Sequence, residues 1–253
     1  MLGFFRIYSF PWTPDRNQEF LPLTEAQAAQ KTGGRLPDFK PFPDDTHEHK
    51  EFNRQQGEEI LRMVQEAAGG TKVIAEDLGC VPEYVPHSLQ KLHIPGFRIP
   101  FLFREHDGSF SDPKKYPRLT VAQAATHDHP PIAAAWEDAW KQINLGKIAE
   151  GRRELKAMMD FAGLKNEEPE REFTSRFQEA FLSAVMHSNS WLVITMITDV
   201  FGHLARFNVP GSTATTNWSY RLAETVSQLD KDPQLSVKAK MYSRLAKESG
   251  RAI

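Results

Sequence analysis

The sequence predicts an α/β fold built on a parallel sheet, either an α/β barrel or an open doubly wound sheet, and three observations lead there. Four apolar stretches, at 72–75, 97–103, 119–125 and 191–200, alternate with segments of helical periodicity, the pattern of repeated βα units. Polar residues gather just after those stretches: Glu76-Asp77, Arg104-Glu105, His127-Asp128-His129 and, within the last, Asp199. Such one-sided placement is how parallel α/β folds present their chemistry, at the C-terminal ends of the strands. Third, no GxGxxG or Walker-type glycine loop turns the pattern toward a nucleotide fold.

Taken in order, the chain opens on Leu2, Phe4, Phe5, Ile7 and Phe10, apolar from the start where termini are ordinarily polar and frayed. Residues 11–50 are rich in proline, glycine and charge and read as a long loop, with a short helix at 24–31 closed by Gly33-Gly34. A loop of that length in a compact domain is usually functional. The periodicity predicts a helix over 51–68 with Phe52, Ile60, Leu61, Val64 and Ala68 on one face, ended by Gly69-Gly70. The strand of KVIAEDLG follows. A helix over 82–92 starts on a proline in its first turn and is expected to bury Tyr84, Val85, Leu89 and Leu92. Strand 97–103 leads into a polar loop at 105–115, and strand 119–125 ends in THDHP. Helices are expected at 131–145, 147–162 and 170–188, the last preceded by acids that suit a helix N-terminus. Strand 191–200, a loop over 202–218 and helices at 219–229 and 235–249 complete the chain.

Composition narrows the function. The 253 residues are 40% hydrophobic and 25% charged, ordinary for a chain with a buried core. The net charge of −2 is too balanced for nucleic acid or an anionic membrane to be the main partner. The single cysteine, Cys80, excludes an internal disulfide framework and suits a reducing compartment. With no apolar run of membrane-spanning length and no signal-peptide pattern, a soluble cytoplasmic protein is expected.

Two strand ends carry the chemistry. Glu76 as a protonatable acid and Asp128 as a fixed carboxylate are what glycosyl transfer needs, one protonating the leaving oxygen and the other facing an oxocarbenium-like transition state. Plainer roles stand beside this one. Glu76 also suits an exposed strand end, Asp77 a turn cap, and Asp128 the cap of the helix after Pro130. His127 and His129 share one side of an extended segment and so also suit a metal, though no further ligand cluster accompanies them. The stretch NVPGSTATTNW at 208–218 offers amides, hydroxyls and an indole for a sugar, or is an ordinary loop with Trp218 packed inward.

Four of these motifs in order, IAEDLG, HIPGFRI, THDHPP and ARFNVPGSTATTNW, resemble the 4-α-glucanotransferases, the amylomaltases and disproportionating enzymes of glycoside hydrolase family 77. The opening GFFRIYSFPW resembles the stretch after that family's fourth barrel strand, so the resemblance covers nearly the whole chain. It implies a (β/α)8 TIM-type barrel, of which residues 1–253 are the C-terminal part carrying strands five to eight. It also implies transfer of α-1,4-glucan segments to a glucose or glucan acceptor by a retaining double displacement. Glu76 matches the general acid/base, Asp128 the transition-state stabiliser, His127 a sugar-binding histidine, and Asn217 and Trp218 a binding or positioning pair. An α-1,4-glucan or maltooligosaccharide is the implied partner, with no cofactor and no metal. The family's nucleophile is the Asp of an R-[IV]-D-H motif that would fall two residues before Met1. Asp15, Asp38, Asp44, Asp45 and Asp77 do not match it. The resemblance therefore implies a truncated form or a misassigned start, inactive in isolation and lacking an N-terminal half. The alternative is a non-catalytic glucan-binding or complementing half-barrel.

Overall fold

A computed structural model describes the chain except for Glu224, Asp230, Ala252 and Ile253. It divides into two compact units, Met1–Gly96 and Phe97–Ile253.

The first unit opens with a 3-10 turn (Leu2–Phe4) and a short strand β1 (Ile7–Ser9). The segment read as a long loop around one short helix at 24–31 has that helix and further elements beside it. It holds a one-turn helix α1 (Asn17–Phe20), helix α2 (Glu25–Thr32) and strand β2 (Asp38–Lys40), which pairs antiparallel with β1 in the register Tyr8 opposite Phe39. Proline and charge hide strands this short, because three residues are too few to show alternation. Helix α2 carries a capping box between Thr24 and Gln27, and Gly33 closes it in the left-handed conformation at φ +68°.

Helix α3 (His47–Ala68) starts four residues before its expected first turn, because Thr46 caps it by accepting the His49 N–H at 3.1 Å. Its buried stripe is Asn53, Gly57, Glu58 and Leu61, whereas Phe52 and Val64, placed on the buried face by apolar periodicity, are exposed. The stripe is polar for a reason. Asn53 donates to the Phe42 carbonyl and to Asp44, while Glu58 is bound by Arg54, Arg62, Lys91 and Ser88. Gly57 lets the fully buried Phe5 ring lie against the helix backbone, since a methyl there would overlap that ring. Phe5, Leu61, Ala75, Val85, Leu89 and Ile94 form this unit's core, to which helix α4 (Tyr84–Lys91) contributes Val85 and Leu89.

The second sheet has the order β3 (Gly96–Arg98), β4 (Thr120–Ala122), β5 (Leu192–Val193), and β4 and β5 pair in parallel. All three strands are shorter than expected. The stretch 97–103 turns after Arg98, where the Ile99 carbonyl accepts from both Leu102 and Phe103. The stretch 191–200 becomes helix α8 (Ile197–Phe201), after helices α5 (Ile132–Asn144), α6 (Ile148–Phe161) and α7 (Ser175–Met186). The expected first strand, 72–75, forms no ladder: Ala75 alone makes a parallel bridge to Gly96. Trp136, Leu155, Met158, Phe161, Phe177, Phe181 and Leu182 build the core of the second unit. Helix 219–229 is reduced to α9 (Val226–Leu229), its position 224 lying outside the described residues, and α10 (Pro233–Glu248) is capped by Asp232. Among the described residues no helix is long and apolar enough to cross a membrane.

Candidate active site

In the first unit, the single bridge at Ala75 sets the alternation of the residues after it. Ala75 and Asp77 point inward and Glu76 outward, as in a strand of period two. Asp77 is 2% exposed and lies against Gly96, where any Cβ would overlap its carboxylate. The glycine of HIPGFRI is therefore the space that the aspartate of IAEDLG occupies. The two neighbouring acids are thus separated by environment: Asp77 is part of the interior, and Glu76 is exposed with no hydrogen bond or ion pair among the described residues. A free, solvent-facing carboxylate is available to a ligand; a buried one held under a glycine is not.

In the second unit, Asp128 follows strand β4 by six residues, in a tight turn that its neighbours hold. Thr126 Oγ1 accepts the Asp128 N–H at 3.3 Å and lies 2.7 Å from His129 Nδ1, and the His129 N–H donates to the Thr126 carbonyl at 3.0 Å. Thr126 is buried, so the turn is pinned from below. His127 Nε2 stands 3.3 Å from Asp128 Oδ1, and Asn208 Nδ2 donates to the same oxygen at 2.7 Å. The His127 ring lies 5.0 Å from that of Trp218, tilted by 44°. Trp218 is 60% exposed, not packed inward, and holds φ +60° while its N–H donates to the Phe207 carbonyl at 2.7 Å. A carboxylate, an imidazole and an indole therefore converge, a set that offers a sugar a charge, a hydrogen-bonding ring and a flat apolar face.

Asn217 takes a different place. Its amide oxygen accepts the Val209 N–H at 3.1 Å and its nitrogen donates to the Ser212 carbonyl and hydroxyl. It folds its own loop and so presents Trp218 indirectly. The sequence-predicted group thus separates into three residues that meet, one that shapes the loop, and Glu76, which belongs to the other unit.

Two side chains join the group that the motif reading does not single out. Asn208 holds the carboxylate. Arg206 donates to the Asp128 carbonyl and, through Nε at 2.8 Å, to the Asn208 carbonyl. Both lie inside the ARFN segment, so the signal was their place in that motif.

The two histidines suggested for a metal are engaged separately, His127 with Asp128 and His129 with Thr126. Among the described residues no three His, Cys, Asp or Glu side chains converge on a point. Clefts of about 540 and 690 Å³ lie in the two units, one beside Asp44 and Tyr84 and the other beside Phe110 and Asp160, but neither Glu76 nor Asp128 lines them. The chemistry points to the exposed strand ends rather than to these hollows.

A family model described as 4-alpha-glucanotransferase matches residues 1–227. A 4-alpha-glucanotransferase of Chlamydia caviae is 30% identical over 191 residues, which cover 74% of this chain and 34% of the relative. One of Streptococcus pneumoniae is 28% identical over 187 residues, covering 73% and 34%. The chain thus spans about a third of the length of these curated relatives. Among solved structures, the amylomaltase of Streptococcus agalactiae in complex with acarbose superposes with a TM-score of 0.57 at 21% identity, over 87% of this chain and 37% of that one. The amylomaltase of Corynebacterium glutamicum gives 0.57 at 21%, over 85% and 32%. At such identity the likeness speaks for the fold alone.

Proposed function

The chain belongs to the 4-alpha-glucanotransferase family, glycoside hydrolase family 77, and from that premise we propose that it carries one part of an α-1,4-glucan transfer site. Residues 1–253 are, in this reading, the C-terminal βα units of a (β/α)8 barrel whose remaining units lie outside these residues; coverage of about a third of the relatives supports it. The observation that carries the reading is the group at the end of β4: an Asp128 carboxylate held on one oxygen, with His127 beside it and the Trp218 indole in reach.

Each residue has a role set by its surroundings. Among the described residues Asp128 Oδ2 carries no hydrogen bond, so a fixed negative charge faces outward where an oxocarbenium-like transition state would develop positive charge. His127 and Trp218 bind the sugar ring, one by hydrogen bonding and the other by stacking. Glu76, exposed just after the Ala75 bridge, acts as the acid that protonates the leaving glycosidic oxygen and then as the base that activates the acceptor hydroxyl. The double displacement also needs a nucleophilic carboxylate, a role that Asp15, Asp38, Asp44, Asp45 and Asp77 do not match and that in this reading comes from outside these residues. An α-1,4-glucan or maltooligosaccharide is the substrate. Cys80, exposed and free, suits a reducing cytoplasmic compartment.

The test is disproportionation of maltotriose. Joined to the in-frame sequence upstream of Met1, the protein is expected to release glucose and build longer glucans, and Glu76→Gln should abolish this. Turnover unchanged in that variant overturns the acid/base role. Appreciable transfer by the 253-residue chain alone overturns the external nucleophile.

A further inference from the structure

Beyond the residues named by the motif, we infer that Arg206 and Asn208 are the positioning residues of Asp128; the inference rests on the glucan-site reading of that carboxylate. Asn208 fixes the side chain, its Nδ2 donating to Oδ1 at 2.7 Å. The same residue fixes the main chain, its N–H donating to the His127 carbonyl at 3.1 Å. Arg206 closes the arrangement by donating to the carbonyls of both Asp128 and Asn208. Three hydrogen bonds from a three-residue segment thus tie down a dipeptide about eighty residues away in sequence, and a fourth, from Arg206 to the Asn208 carbonyl, braces the segment itself.

The asymmetry between the two carboxylate oxygens gives this a chemical consequence. Both Asn208 and His127 engage Oδ1, so Oδ2 is the oxygen left to meet a ligand. A carboxylate pinned by one oxygen cannot rotate away when positive charge approaches the other. That is preorganisation: the orienting cost is met when the chain folds, not when charge develops. Without Asn208 the carboxylate is held by His127 alone at 3.3 Å, and without Arg206 the loop that carries Asn208 loses its tie to the Asp128 main chain. Neither Arg206 nor Asn208 needs to touch the sugar, so the effect falls on ligands bearing positive charge at the reacting ring more than on neutral ones.

The experiment compares two ligands by calorimetric titration of the 253-residue chain in mildly acidic buffer: acarbose, whose weakly basic linking amine takes up a proton there, and neutral maltotetraose. Asp128→Asn sets the scale and is expected to erase the preference for acarbose. Asn208→Ala should lose about tenfold in acarbose affinity with less than a threefold change for maltotetraose. Arg206→Ala should act in the same direction, and Arg206→Lys, which keeps one donor, should recover part of the loss. Equal losses for both ligands, or none, in Asn208→Ala and Arg206→Lys overturn the positioning role while the Asp128→Asn result still stands. A preference left intact by Asp128→Asn overturns the glucan-site reading itself, and positioning with it. If Asn208→Ala melts too low to titrate, Arg206→Lys decides alone.

Discussion

Asp199 Oδ1 accepts the backbone N–H of Ile132 at 2.8 Å, so a carboxylate only 1% exposed closes the N-terminus of helix α5, immediately after THDHPP. No side chain within α5's own approach provides this cap, because Pro131 precedes it. The helix that follows the Asp128 turn is thus closed by a residue of helix α8. The other oxygen, Oδ2, has no hydrogen-bond partner among the described residues.

That unsatisfied burial has a pH signature. Burial pushes the Asp199 carboxyl up to about 7, against a smaller pull downward from the Ile132 N–H. An acid with its pKa raised in the folded state binds its proton more tightly there than when unfolded. Its contribution is therefore fully present below the unfolded value of 3.8 and is lost as pH rises toward about 7. Asp199→Asn keeps an oxygen for the Ile132 N–H and removes the titration. Relative to the parent, the variant should gain stability from about pH 4 to 7 and hold that gain above it, by a few kcal/mol. Urea unfolding at several pH values measures the difference; a gap independent of pH refutes the assignment.

Glu58 should behave with the opposite sign. Burial works against its charge, but hydrogen bonds from Lys91, Arg54 and Ser88 prevail and hold its carboxyl below the usual range. This contribution is present above the unfolded value of 4.5 and is lost as pH falls through the lower folded value. Glu58→Gln is expected to cost about 1–2 kcal/mol at neutral pH, less than a fully buried pair because Arg62 and Lys91 are about half exposed. The deficit should close in acid, and thermal melts at pH 7 and pH 3 are the check.

The contact between Gly57 and Phe5 gives a steric prediction. A methyl at Gly57 would overlap a ring that is itself fully buried, so Gly57→Ala should destabilise the first unit by about 1–3 kcal/mol. Shortening the ring in Gly57→Ala/Phe5→Leu should recover part of that loss. If the single variant is as stable as the parent, helix α3 has room that the packing denies.

Much of the candidate site is legible in the sequence, and the reasons for the rest are physical. Glu76, His127 and Asp128 stand after short apolar stretches, where acids and histidines are conspicuous. Asn208 and Arg206 lie in an irregular loop, where no periodicity marks a side chain and the partner is distant in sequence. Asn217 matches the NW pair, for which the resemblance implies a binding or positioning role; its amide is engaged within its own loop by Val209 and Ser212. Helix α3 was legible as a helix but not in orientation, because its interior is filled by Asn53 and Glu58, and apolar periodicity cannot find a polar buried stripe. The strand predicted across 191–200 failed at its second half. Ile197–Phe201 is as apolar as a strand, but it forms a helix closed by Gly202 at φ +71°.

Trp218 separates binding from stability most cleanly. Its backbone sits in the left-handed region at φ +60°, costly for a bulky residue and free for glycine, while its ring is 60% exposed and lies 5.0 Å from the His127 ring. An exposed indole in a strained backbone position contributes little to the core, so its value must lie in what it meets. Trp218→Gly is therefore expected to raise the melting temperature slightly, by relieving about 1 kcal/mol of strain. The same change should weaken maltotetraose binding roughly five- to tenfold, the loss of one stacking contact worth about 1 kcal/mol. Trp218→Ala should lose the same affinity with no gain in stability. Calorimetric titration beside a thermal melt reads both effects in one preparation. If the glycine variant binds as tightly as the parent, the indole is not a sugar platform, and His127 and Asp128 bind without it.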